Sequence, residues 1–267
     1  MEEELLYHYT SIFGLNGIIS SRNVWASDCR YLNDQKELVH AIEIFLDGFE
    51  GDTKKILSLA LHWFSFSQAH CVFSLSRSPR VLSQWRAYGD DGHGAAIGFS
   101  RKYLPGIGNS STRLLVDCIY SDHENFLGGV ADNNKEYINS IIQMHEDSGG
   151  AVNSFWDLIR ENPLPLAKIY SELLRVKNHA FEEEQEVRLV ISVPINKVKS
   201  RVANGLIIPY IEHSFVGEGD EDYIWCIAPE IWFGPKSDKR NMRAIQAFGQ
   251  FGWGINSGVH HYDCGYV

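Results

Sequence analysis

Two carboxylates and a guanidinium sit at alternate positions in Glu184-Gln185-Glu186-Val187-Arg188. The surrounding stretch, Phe181 to Ile191, starts as an acidic block and ends as a β-branched apolar run, which predicts a strand beginning near Glu184 and ending at Pro194. Side chains alternate on a strand, so Glu184, Glu186 and Arg188 share one face, while Gln185, Val187, Leu189 and Ile191 take the other, the core side. The carboxylates then lie roughly 6–7 Å apart along the strand, with the guanidinium next in line. A like charge raises a carboxyl pKa and a nearby Arg lowers it, so the two can be held in different protonation states. Such a row either faces water as a local ion pair or lines a cleft, and the residues alone leave both readings open.

Other polar side chains fall on predicted strand faces. Leu5 to Thr10 alternates as a first strand, with Leu6, His8 and Thr10 on one side and Tyr7 and Tyr9 on the other. Cys71 to Ser76 is a second, with Phe73 and Leu75 opposed to Ser74 and Ser76. The serines either contact a polar ligand or satisfy nearby backbone groups, and His8 is either a ligand contact or a packed core histidine. Trp85 and Tyr88 read as core. The loop Asp90-Asp91-Gly92-His93-Gly94 lacks the Lys-Ser/Thr of a phosphate loop and opens no helix after a strand. His261, Asp263 and Cys264 are compressed and have no second cluster at ligand spacing, which excludes a metal site as a main reading.

The elements that must position these groups follow from periodicity and caps. Thr10 or Ser11 caps a helix through Ile19, in which Gly14 and Gly17 either weaken the helix or permit close packing. Val24 to Ser27 is extended, and a polar loop holding Tyr31, Asn33 and Asp34 follows. Asp34 and Glu37 have capping-box spacing and open a helix to about Leu46, with Leu38, Ala41, Ile42 and Phe45 on its buried stripe. Helices are expected at about 53–66 and 81–88, and strands at 95–99 and 114–120. Residues 122 to about 176 read as a helical insertion with helices at 133–145, 151–159 and 166–176, broken at Gly128-Gly129 and Gly149-Gly150. Strands are expected at 205–211, 223–227 and 230–233. A helix then follows Asp238 as far as Phe248, with a last strand near 258–264.

Composition bounds the function classes. The 267 residues, 44% hydrophobic and 12% aromatic, suffice for a full core, and the chain reads as a single domain over 1–267. A net charge of −10 with no basic block argues against a non-specific electrostatic grip on nucleic acid. Only a local patch, drawn from Arg22, Arg30, Arg77, Arg80 and Arg86, remains for that role. Five scattered cysteines, never spaced C-x-x-C, suit a reducing cytoplasm better than a disulfide framework. The acidic Met1-Glu2-Glu3-Glu4 is not a signal peptide, and no apolar run is long enough to cross a membrane.

Leu6-Tyr7-His8-Tyr9-Thr10-Ser11, Trp25-Ala26-Ser27-Asp28, Tyr31-Leu32-Asn33-Asp34 with Glu37, Ser83-Gln84-Trp85-Arg86-Ala87-Tyr88-Gly89, the Glu-x-Glu-x-Arg of 184–188 and Gly234-Pro235 together resemble a widespread bacterial domain of unknown function. The likeness spans nearly the whole chain. More distantly, a strand-one histidine, a serine-bearing strand and a late Glu-x-Glu strand resemble the ordered triad of ADP-ribosyltransferases. That resemblance implies an α+β fold with a split, mostly antiparallel sheet, here carrying the helical insertion. It also implies NAD as substrate and a macromolecular acceptor, protein or nucleic acid, in a toxin or phage-defence setting. Under it, Glu186 is the catalytic carboxylate and Glu184 serves the acceptor. His8 and Thr10 hold ribose hydroxyls, Ser74 and Ser76 line the cleft, Trp25 or Tyr31 stacks on nicotinamide, and Gln84 and Arg86 contact substrate or phosphate. No single Tyr stands out as the stacking partner. NAD hydrolysis without an acceptor and a non-catalytic ligand-sensing module are the alternatives.

Overall fold

The computed structural model describes residues 4–32, 35–105, 113–203, 205–215, 227–248 and 258–266. The expected 223–227 strand, the Asn33-Asp34 cap and Cys226 therefore fall wholly or largely outside the described residues. Chain order is β1 (Leu5–Thr10), α1 (Ile12–Ser21), β2 (Asn23–Asp28), α2 (Gln35–Asp47), α3 (Gly51–Ser67), β3 (Gln68–Ser76), α4 (Leu82–Ala87), β4 (Ala95–Ser100) and β5 (Arg113–Asp117). Then come α5 (His123–Asn133), α6 (Lys135–Asp147), α7 (Val152–Glu161), α8 (Leu164–Leu173), β6 (Glu186–Pro194), β7 (Lys199–Ala203), β8 (Leu206–Ser214), β9 (Glu230–Phe233), α9 (Arg240–Phe248) and β10 (Gly258–His261).

The strands form one ten-stranded sheet along β10-β9-β4-β1-β3-β2-β8-β7, with β6 and β5 branching from β3. All named pairs are antiparallel except β9–β10. β3 is the branch point. It pairs along all nine residues with β6, from Gln68↔Pro194 to Ser76↔Glu186. It meets β1 at Tyr7↔Ser76 and β2 at Ser27↔Val72 and Asp28↔Cys71. β1 and β2 therefore share the other edge of β3 and part company around Ser74.

Each sheet face is buried by the apolar positions that alternation selects. Leu6, Phe73, Leu75, Phe99, Val187, Leu189 and Ile191 pack with Leu15, Ile18 and Ile19 of α1 and Ile245 of α9. On the opposite face Val72 and Val190 meet Phe45 of α2, Phe64 of α3 and the helices α5–α8. A smaller cluster joins Tyr7 and Tyr9 to Trp85 and Ala96. Ser11 caps α1 by accepting from the Gly14 N–H at 3.1 Å.

Two local expectations are corrected. Gly128 and Gly129 do not break the insertion; they lie inside α5, because burial of Leu127 and Val130 against neighbouring helices outweighs the glycines' low propensity. Gly149 and Gly150, at φ +60° and +75°, do end α6. The acidic strand begins two residues late. Residues 179–184 wind into 3₁₀ turns, begun where Asn178 accepts from the Ala180 N–H, and Gln185 is left-handed at φ 45°. Glu184 is thus off the strand, and the Glu186/Arg188 face is covered by helices rather than water.

Candidate active site

Where β1 and β2 diverge, the sheet opens and a cleft enters it. The register places Tyr7, Ser74, Ser76, Glu186 and Arg188 on one face, and His8 with Phe73 on the other. His8 nonetheless reaches the cleft, because its ring fills the gap. Its Nδ1 meets the Ser74 carbonyl at 3.0 Å and its ring centre lies 4.2 Å from that of Phe73. A carbonyl only accepts, so Nδ1 carries the proton and Nε2 is left as an acceptor. Burial lowers the His8 pKa to about 4, despite the bond to Ser74, so the ring is neutral at pH 7.

The cleft has two chambers. The smaller, about 170 Å³, is lined by His8, Tyr31, Ser74, Gln84, Glu184 and Glu186 of the expected residues, together with Tyr7, Tyr9, Leu32, Leu75, Tyr88 and Lys177. The larger, about 860 Å³, is lined by Thr10, Trp25, Arg201 and one side of α1 from Phe13 to Ser21, and shares His8, Leu32, Ser74 and Tyr88 with the smaller. Gly14 keeps it open beside Thr10, since a Cβ there would stand 1.9 Å from the Thr10 Oγ1. Trp25 is half exposed and tilts against Tyr210 at 4.8 Å.

The end wall of the small chamber is an ion cluster. Lys177 Nζ donates to Glu184 Oε2 and to Glu186 Oε2, each at 2.5 Å. Arg188 grips Glu186 through Nε to Oε1 and Nη2 to Oε2, both at 3.0 Å, and donates from Nη1 to the Leu174 carbonyl at 2.7 Å. Glu37 stands 4.0 Å from Arg188 and accepts from the Asn178 N–H. The Cys118 thiol also points at Glu186 Oε2, at 3.7 Å. Lys177, Glu184, Glu186 and Arg188 are all buried. Burial pushes the Glu186 pKa up, but Arg188 and Lys177 outweigh it and bring it down to about 2. Three carboxylates (37, 184, 186) and two cations (177, 188) leave the cluster formally at −1.

Several expected residues are elsewhere. Ser76 lines neither chamber; its Oγ accepts from the Ser78 N–H at 3.2 Å, so it serves the backbone. Arg86 is exposed on α4, with its guanidinium 4.7 Å from the Tyr266 ring centre, outside both chambers, because the α4 turn sends it away from Gln84. Trp85 is fully buried, as a core residue should be, whereas Tyr88 is 42% exposed and lines both chambers, correcting its assignment to the core. The candidate cation patch is largely spent. Arg30 pairs with Asp28 at 2.6 Å, Arg77 pairs with Glu4 and Asp117, and Arg80 lies over Trp232.

Lys177 is the central group that sequence reasoning missed. The signal available was a single lysine after the mostly apolar Leu173-Leu174-Arg175-Val176, seven residues before Glu184. What places it is the bridge Ile119↔Val176, reinforced by the Lys177 N–H bond to the Ile119 carbonyl at 2.9 Å.

Among the described residues no group of three His, Cys, Asp or Glu side chains is placed to hold a metal ion, and no helix is long and apolar enough to cross a membrane. Neither the curated proteins nor the solved structures yield a match to the chain. A family model does match, from Gln84 on α4 to Leu189 on β6, and so takes in Tyr88, Lys177, Glu184, Glu186 and Arg188 but not His8 or Ser74. Over residues 84–189, about two fifths of the chain rather than nearly all of it, the chain matches the family described as Protein of unknown function (DUF2971), a domain of unknown function as the sequence resemblance expects.

Proposed function

We propose that the cleft binds NAD and cleaves its nicotinamide–ribose bond, with a macromolecule or water as acceptor, on a sheet split in the manner of ADP-ribosyltransferases. The carrying observation is the convergence of His8, Ser74, Glu184 and Glu186, from three separated parts of the chain, on one chamber that opens into a larger one. Ligand sites typically measure about 300–1,000 Å³, and the larger chamber alone is on that scale. As the C1′–N bond breaks, its electron pair leaves with the nicotinamide ring, which departs neutral, and positive charge builds on the ribose. Glu186, held ionised by Lys177 and Arg188, is a fixed negative charge for that cation to develop against, in a site that need not reorganise. Glu184 takes the proton from the attacking hydroxyl or water. Neutral His8 Nε2 accepts from a ribose hydroxyl, and Ser74, whose carbonyl holds the His8 ring, lines the same chamber.

One observation favours a second reading. Both oxygens of Glu186 already accept from cations, the arrangement expected of a structural ion cluster in a cleft that binds its ligand without chemistry. A structure determined after soaking with NAD separates the site from its alternatives. Ribose density between His8 and the carboxylates supports the proposal, and NAD bound elsewhere, or nowhere at saturating concentration, refutes it.

A further inference from the structure

We propose that Arg201 is the anion-binding residue of the larger chamber, and that it takes the diphosphate of a nucleotide ligand. Arg201 sits on β7, pairs across to Ile208 on β8, and sends its side chain past β8 to β2, where Nη2 donates to Ser27 Oγ at 3.1 Å. Among the described residues lining that chamber it is the only Lys or Arg. Its guanidinium carbon lies 5.8 Å from the centre of the Trp25 ring, so an aromatic wall braces it. The Nε–H is buried and has no acceptor among the described residues. A buried donor left unpaired is unfavourable until an acceptor arrives, and the fork of a guanidinium matches the oxygens of a phosphate. Glu212 lines the same chamber, but its Oε2 accepts from Lys199 at 2.7 Å.

The cleft is therefore asymmetric in charge, with the net-negative cluster closing the small chamber and Arg201 in the large one, where Glu212 is paired with Lys199. A ligand whose diphosphate adjoins the ribose that becomes cationic is held in a single direction, that ribose toward the carboxylates and the diphosphate toward Arg201. The choice of a diphosphate over another anion rests on the NAD reading; the anion site itself does not.

The test uses the full chain with ADP, adenosine and inorganic pyrophosphate, none of which needs to be cleaved. By calorimetry, ADP should bind at least tenfold more tightly than adenosine. Arg201→Gln should lose at least tenfold in ADP affinity with adenosine unchanged, and Arg201→Lys should fall between. In parent protein labelled with ¹⁵N-arginine, the Arg201 Nε–H resonance, assigned by its loss in Arg201→Lys, should move on adding pyrophosphate, a readout that survives poor folding of the Gln variant. Equal ADP affinity for parent and Arg201→Gln, or a resonance unmoved at saturating pyrophosphate, overturns the assignment. ADP binding through Arg201 without nicotinamide release sinks only the cleavage reading. NAD cleavage with a KM indifferent to Arg201→Gln sinks only this one.

Discussion

Glu186→Gln exposes the difference between an acidic strand face in water and the buried cluster found here. On a solvent-facing strand the change should alter stability by no more than about 0.5 kcal/mol. In the structure the carboxylate is 7% exposed and accepts from Lys177 at 2.5 Å and from Arg188 at 3.0 Å, and a Gln amide would turn donors toward those donors. Lowering the carboxyl pKa from 4.5 to about 2 corresponds to about 3 kcal/mol in favour of the folded, ionised form. Breaking a buried ion pair by removing one partner typically costs about 3–5 kcal/mol, which agrees. For a chain of this size about 3 kcal/mol is a fall of roughly 6–12 °C in Tm. The sign with pH follows from a folded pKa below the ordinary one: the contribution is fully present above about pH 4.5 and is lost as pH falls toward 2. The assay is urea unfolding of parent and variant at pH 7 and at steps down to pH 3. A difference near 3 kcal/mol at pH 7 that narrows below pH 4.5 is expected. A difference under 0.5 kcal/mol at pH 7, or one independent of pH, refutes the cluster's energetic role.

His8 and His70 are lowered by burial to about 4 and about 3, so both rings should stay neutral in ¹⁵N spectra from pH 7.5 to 5; a titration centred near 6.5 for either would contradict their burial. Because both folded values lie below 6.5, their contribution to stability is present above that pH and should fade as pH falls from 6.5 toward 4 and 3. Gly94→Ala puts a Cβ 2.2 Å from the Thr10 carbonyl oxygen and 2.8 Å from that of Gly89, so the melt should show about 2 kcal/mol or more of destabilisation; an unchanged Tm would show that the loop has room. Ser76→Ala should cost about 1 kcal/mol through the orphaned Ser78 N–H, whereas Ser74→Ala should stay within about 0.5 kcal/mol and instead weaken NAD binding; the reverse pattern in melts and calorimetry would exchange the two serines' roles.

Much of this was legible where side-chain period and fold agree. Alternation in β3 separates Phe73 and Leu75 from Ser74 and Ser76, and alternation in β6 separates Val187 and Leu189 from Glu186 and Arg188, so the polar face of the site could be read residue by residue. Which serine faces the cleft could not, because that depends on where β1 and β2 part along β3, a matter of non-local pairing. The same holds for His8, which lies on the opposite face by period yet enters the cleft through the gap. Burial of the acidic pair was hidden for a different reason: two carboxylates read as solvated until Lys177 and Arg188 are placed against them, and Lys177 arrives through a bridge to Ile119 that no local pattern announces. Tyr88 fits the apolar stripe of a helix, but α4 ends at Ala87 and leaves its ring over the cleft.

The most direct measurement is nicotinamide release from NAD by the folded parent and by Glu184→Gln and Glu186→Gln, each first confirmed folded by its melt at the assay temperature. The account predicts release by the parent, and a fall of at least about a hundredfold, near 3 kcal/mol of barrier, in Glu186→Gln. In Glu184→Gln it predicts loss of ADP-ribose incorporation into an acceptor, with some hydrolysis surviving. Equal turnover by parent and folded Glu186→Gln would contradict the catalytic assignment, and no release by the folded parent with water, protein or nucleic acid as acceptor would contradict the proposed chemistry altogether.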